Sequence, residues 1–165
     1  MALGMVVAFS ILVAFLTRAA LIALFLPFSA VDKLINHREA VRQAQGAGVG
    51  PILATILIAT GFTIEVIGSL GILTGLADRF AALTLAGYCA AAALLYKRFW
   101  ATDDFALRGP SKGREVFWDF MKNFAVAGGF LLITFGTSAA TVGSFFSDPL
   151  ASSHPYKITL PLKGD

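Results

Sequence analysis

Four long apolar runs, separated by short charged segments, constrain this chain more than any other feature. The first extends from Leu3 to Val31 and is interrupted only by Arg18. The second begins at Pro51 and reaches Leu76, the third covers Phe80 to Tyr96, and the fourth extends from Asp119 to Val142. About 20 apolar residues in helical form cross the hydrocarbon core of a bilayer. The runs therefore predict an all-α integral membrane protein: a four-helix transmembrane bundle over residues 1–144, with helices at about 3–31, 51–76, 80–96 and 119–142. An extended, outward-facing tail is expected over 145–165, with Tyr156 to Leu160 as a short strand. Composition agrees: 57% of residues are hydrophobic and 14% charged, against about 45–50% and about 25% in soluble domains. No Lys or Arg precedes the first run, which favours a retained helix over a cleaved signal peptide.

The basic residues lie between the runs. Lys33, Arg38 and Arg42 in the first loop, with Lys97, Arg98, Arg108, Lys112, Arg114 and Lys122 in the third, make nine on one side; Arg79, Lys157 and Lys163 make three on the other. The positive-inside rule then places both wide loops in the cytoplasm and both termini outside. This distribution accounts for the net charge of +3 without a nucleic-acid partner. Trp100, Phe117 and Trp118 flank the third loop, where interfacial aromatic residues are expected.

Several chemistries are not expected. Cys89 is the single cysteine, so neither an internal disulfide nor a CxxC motif can form. His37 and His154 both lie outside the apolar runs, leaving no intramembrane histidine pair for haem or copper. No metal site and no covalent cofactor is expected.

Arg18 and Glu65 stand near the centres of their runs. A lone charge at mid-bilayer is costly, and the first two helices are consecutive and antiparallel, so the two residues are expected to pair. Both a strut that fixes helix register and a polar site for a quinone, a proton or a small solute fit such a pair. Gly61, Glu65, Gly68, Ile72 and Gly75 share one helical stripe, and small residues allow close backbone approach in lipid; the stripe is expected to face protein. Gly128 and Gly129 suggest similar packing in the fourth helix. Asn123, about one turn into that helix, needs a partner such as Asp32, Lys33 or a ligand headgroup. Asp32-Lys33 reads as an interfacial pair, Asp78-Arg79 as turn chemistry and Cys89 as a small core residue.

Three motifs in order resemble the DoxX-like family of small membrane proteins. The first is Arg18 followed by Leu24-Phe25-Leu26 and Lys33; the second runs from Glu65 through Gly68, Gly71 and Gly75 to Arg79; the third is Phe120-Met121-Lys122-Asn123 leading to Gly128-Gly129. Together they cover about Thr17 to Gly136. Tyr96-Lys97-Arg98-Phe99-Trp100 carries no His where relatives often have one, and no glycine stands in Ser29–Asp32. The resemblance implies a four-helix bundle in a bacterial inner membrane. It implies association with redox chemistry, since some relatives are subunits of a thiosulfate:quinone oxidoreductase. The leading expectation is a non-catalytic membrane subunit or anchor, partnered by larger redox enzyme subunits or by further copies of the chain. The alternatives are a quinone-binding component lined by Arg18, Glu65 and Asn123, and a small transporter. Against the transporter stand the lack of an inverted repeat and of helix breaks at the midplane.

Overall fold

The computed structural model describes residues 2–157, and among these the regular structure is entirely helical. Six helices follow in order: α1 (Leu3–Ile35), α2 (His37–Gly46), α3 (Pro51–Thr74), α4 (Asp78–Tyr96), α5 (Lys112–Phe135) and α6 (Ala139–Ser147). Four of them, α1, α3, α4 and α5, are long and apolar enough to cross a membrane, so the chain is a multi-pass membrane protein built as a four-helix bundle. One end of the bundle carries the long connections around residues 36–50 and 97–111 (the loop end). The other carries the α3–α4 turn, α6 and the C-terminal segment (the tail end).

Local chemistry sets the boundaries. Pro51 occupies the first turn of α3, where its missing N–H costs nothing. Gly75 closes α3 in the left-handed conformation at φ 78°, which glycine adopts without a Cβ penalty. Ser111 caps α5 by accepting from the Arg114 N–H, and the Asp104 carboxylate accepts from the Lys112 and Gly113 N–H groups at 2.7 and 2.9 Å. This double cap starts α5 seven residues before the expected Asp119. Gly136, at φ 66°, ends it at Phe135, before the expected Val142. Ser138 and Thr141 then form a capping box that opens α6.

The remaining differences from the expected organisation have similar local causes. α1 continues to Ile35, past Val31. The expected loop after it contains α2, whose Ala40 and Ala44 lie one turn apart; Ala44 is fully buried. The tail is not extended from residue 145, because that position lies within α6. Residues 148–157 then fold back over the tail end. Tyr156 sits in a turn there, and residues 158–160 of the expected strand lie outside the described residues.

The core is narrow. Ile22 and Phe25 of α1, Ile72 of α3, Leu85 and Cys89 of α4, and Phe130 of α5 form its centre, with the Phe25 and Phe130 rings 5.5 Å apart. Packing, rather than expulsion from water, holds such helices together in lipid. A Cβ on Gly61 would stand 3.2 Å from the Tyr88 ring, and one on Gly68 would stand 3.0 Å from Leu85, so the small-residue stripe of α3 faces protein as expected. By contrast, no residue between Leu3 and Thr17 is buried. At the loop end, the rings of Trp100, Phe105, Phe117 and Phe120 all lie within 5.4 Å of Phe99.

Candidate functional site

Two buried charge clusters stand at different heights in the bundle. The loop-end cluster is built on a π-helical segment of α1, Leu24–Ser29, which contains Pro27. Proline has no N–H to give to the helix ladder, and the Ala30 N–H reaches back to the Phe25 carbonyl, five residues away. Such bulges re-aim the side chains that follow. Here Ser29 and Lys33, one turn apart, both point at Glu65 of α3. Lys33 Nζ donates to Glu65 Oε1 and Oε2 at 2.7 and 2.9 Å and to Ser29 Oγ at 2.6 Å. Ser29 Oγ donates in turn to Glu65 Oε1 at 2.9 Å. Glu65 is buried at 1% exposure.

This cluster borders a cavity of about 600 Å³, within the range of small-molecule sites. Leu57, Ile58, Ile64 and Leu95 give it apolar walls. Tyr88, Tyr96 and Asn123 bring donors to its surface, and Gln43 and Ala44 of α2 border it at the loop end. Gly61 leaves the room that the Tyr88 ring occupies.

The tail-end cluster joins α1, α4, α5, α6 and the C-terminal segment. Arg18 Nη2 lies 2.9 Å from Asp78 Oδ2, and Arg18 Nη1 donates to the Ile72 carbonyl at 3.3 Å. Asp78 is fully buried. Its carboxylate also accepts from the Ser153 N–H at 2.8 Å and from the Ser153 hydroxyl. Arg79, the next residue, donates to the Thr134 carbonyl at 2.9 Å, to Ser144 Oγ at 2.9 Å and to the Thr141 carbonyl. Its guanidinium also lies over the Phe145 ring, 5.6 Å from the centroid. Tyr156 donates to the Leu73 carbonyl, and Pro155 packs where a Cβ on Gly75 would sit.

The expected Arg18–Glu65 pair does not form. Ser29 is the α1 residue beside Glu65, and Arg18 lies eleven residues earlier, roughly 16 Å along a helix that rises about 1.5 Å per residue. Arg18 therefore stands beside Ile72. The midpoint of the apolar run misled because the N-terminal half of α1 buries nothing; the packed part starts at Arg18. Asn123 bonds neither Asp32 nor Lys33. Its amide donates to the Asp119 carbonyl of its own helix at 2.9 Å while lining the loop-end cavity. Gly128 faces outward, and a Cβ there would meet nothing within 4 Å; only its neighbour Gly129 packs, against Leu21. Gly75 does act in packing, though against Pro155 rather than a neighbouring helix.

Lys33 and Asp78 were the residues most easily missed. Asp32-Lys33 reads as an interfacial pair, yet Asp32 bonds Asn36 while Lys33 turns inward. Asp78-Arg79 reads as turn chemistry, yet both are buried. Pro27, two residues before Ser29, is the local signal for the bulge that aims Lys33. Among the described residues, no group of three His, Cys, Asp or Glu side chains is placed to hold a metal ion.

Residues 13–98 match the family model DoxX, more than half of the chain. The matched stretch contains Arg18, Ser29, Lys33, Glu65, Asp78, Arg79 and Tyr88, whereas Asn123, α6 and the docked tail lie beyond it. No curated protein and no solved structure matches the chain.

Proposed function

The chain belongs to the DoxX family, and from that premise we propose that it is the quinone-binding membrane subunit of a redox assembly in a bacterial inner membrane, with its loop end in the cytoplasm and its tail end outside. The observation that carries this reading is the loop-end cavity of about 600 Å³ beside Lys33, Ser29 and Glu65. The cluster is charge-balanced, so it favours an uncharged polar guest over an ion. The apolar walls suit a ring and the start of an isoprenoid chain. Tyr88 and Asn123 supply donors of the kind that ring carbonyl oxygens accept. When bound, a quinone would carry electrons between the membrane pool and a larger partner enzyme. The chain's own residues hold and orient the ring, and the Lys33–Ser29–Glu65 chain holds a proton next to it.

An accessory role through the tail has less support. Residues 148–157 are engaged with their own bundle through Ser153, Pro155 and Tyr156, so they are not free to add a strand to a partner's sheet.

Binding of a short-chain benzoquinone to the full-length chain in lipid nanodiscs tests this reading. The wild type is expected to bind above lipid partitioning. Tyr88→Phe and Asn123→Ala are each expected to weaken binding about three- to tenfold, the size of one lost hydrogen bond. Binding no stronger than partitioning, or unchanged by both substitutions, would remove the quinone site.

A further inference from the structure

The tail end carries a second cavity, of about 920 Å³, between α1 and α5. We propose that it holds the headgroup and upper chain of an anionic phospholipid. The first ground is charge. Arg18 and Arg79 both line the cavity, and they are only 9% and 7% exposed. Asp78 balances one of them. Arg79 has no carboxylate within salt-bridge distance among the described residues. A buried arginine keeps its proton, so this end of the bundle holds an excess positive charge with little access to water. Such a charge favours an anion.

The second ground is unused hydrogen-bonding capacity. A guanidinium has five N–H donors. Arg79 places three of them, all on neutral oxygens: two backbone carbonyls and the Ser144 hydroxyl. The remaining two, one on each Nη, are the donors left for an anion, and arginine binds phosphate oxygens through paired N–H groups. Ser152 and His154 also line the cavity.

The third ground is the shape of the rest of the space. Leu21 meets α5 at Gly129, where a Cβ would stand 2.9 Å away, and this contact closes one end of the gap between the helices. Ala14, Leu132 and Ile133 line the remaining gap, next to side chains such as Leu12 and Leu16 that the bundle leaves exposed. A free anion would leave these apolar walls uncovered, whereas an acyl chain covers them. The site therefore fits an amphiphile with a negative head.

Native mass spectrometry of the full-length chain, extracted from nanodiscs containing equal phosphatidylglycerol and phosphatidylcholine with the same acyl chains, tests the proposal. One phosphatidylglycerol per chain should be retained, enriched about tenfold over phosphatidylcholine, or about 1.4 kcal/mol of preference. Ala14→Trp, which fills the groove and leaves both guanidiniums in place, should abolish the enrichment. Arg79→Lys keeps the charge, loses the fork and should reduce the enrichment; it serves as the second variant should Ala14→Trp fold poorly. Equal retention of the two lipids, or enrichment unchanged in both variants, would overturn the proposal. Displacement of the lipid by inorganic phosphate would also overturn it, by assigning the site to a free anion. Benzoquinone binding at the loop end should be the same in Ala14→Trp and wild type, so the two sites fail or stand separately.

Discussion

At the tail end, Arg18 meets Asp78, and Ser153 occupies both carboxylate oxygens from the folded-back tail. At the loop end, Lys33 meets Glu65, Ser29 joins them, and the cluster borders a cavity. The cations differ in a way that matters. The planar Arg18 guanidinium reaches Asp78 and the Ile72 carbonyl together. The Lys33 ammonium is a point charge whose contacts among the described residues are confined to Glu65 and Ser29, so residues 148–157 play no part in holding this pair. The comparison separates a clasp, which ties the tail to three helices, from a site, which keeps polar groups at the edge of a space.

The largest expected effect lies at the clasp. Asp78→Asn keeps the shape but leaves Arg18 charged and uncompensated, and breaking a buried pair in this way costs about 3–5 kcal/mol. A large drop in Tm in detergent checks it; a drop of only a degree or two would show that Arg18 finds another partner. Next in size is Gly75→Ala. A left-handed alanine costs about 1–2 kcal/mol, and its Cβ would stand 2.9 Å from Pro155. The expected result is a moderately lowered Tm together with faster proteolysis of residues 148–157; unchanged proteolysis would show that the tail docks independently of this turn.

The smallest effect lies outside both clusters. The Lys112 and Gly113 N–H groups hold the exposed Asp104 carboxylate below its usual pKa. A depressed carboxylate pKa contributes stability above the unfolded-state value, and that contribution is lost as pH falls through the folded value. Limited proteolysis of the 102–111 loop at pH 7 and at acid pH should therefore show the loop loosening in acid. Asp104→Asn should cleave faster at pH 7 and lose most of the pH dependence.

The fold was largely legible in the sequence because hydrophobic length is the dominant constraint in a membrane. The four spans follow from it, and the inward stripe of α3 follows from the helical spacing of its small residues; the ring cluster around Phe99 did not. The helix ends followed less well, since a cap such as Asp104, eight residues before Lys112, meets the helix start only when the loop between them folds back. The site was half legible. Arg18 and Glu65 stood out as charges in apolar runs, but their partners depended on the register between α1 and α3. That register is shifted by an α1 segment that buries nothing and by the bulge at Pro27. Lys33 and Asp78, at the ends of runs, read as part of an interfacial pair and of a turn, and the bulge and the folded-back tail turn them inward.

The most direct test measures stability and quinone affinity together in two variants, Asp78→Asn and Glu65→Gln. The expected pattern is crossed. Asp78→Asn loses much of its thermal stability while the folded fraction binds benzoquinone as the wild type does. Glu65→Gln loses less stability, because no folded-back tail depends on Glu65 as it does on Asp78, yet binds benzoquinone about tenfold more weakly, equivalent to about 1.4 kcal/mol. If Glu65→Gln proves as unstable as Asp78→Asn and its folded fraction still binds like wild type, the loop-end pair is a second strut and the division between clasp and site is wrong.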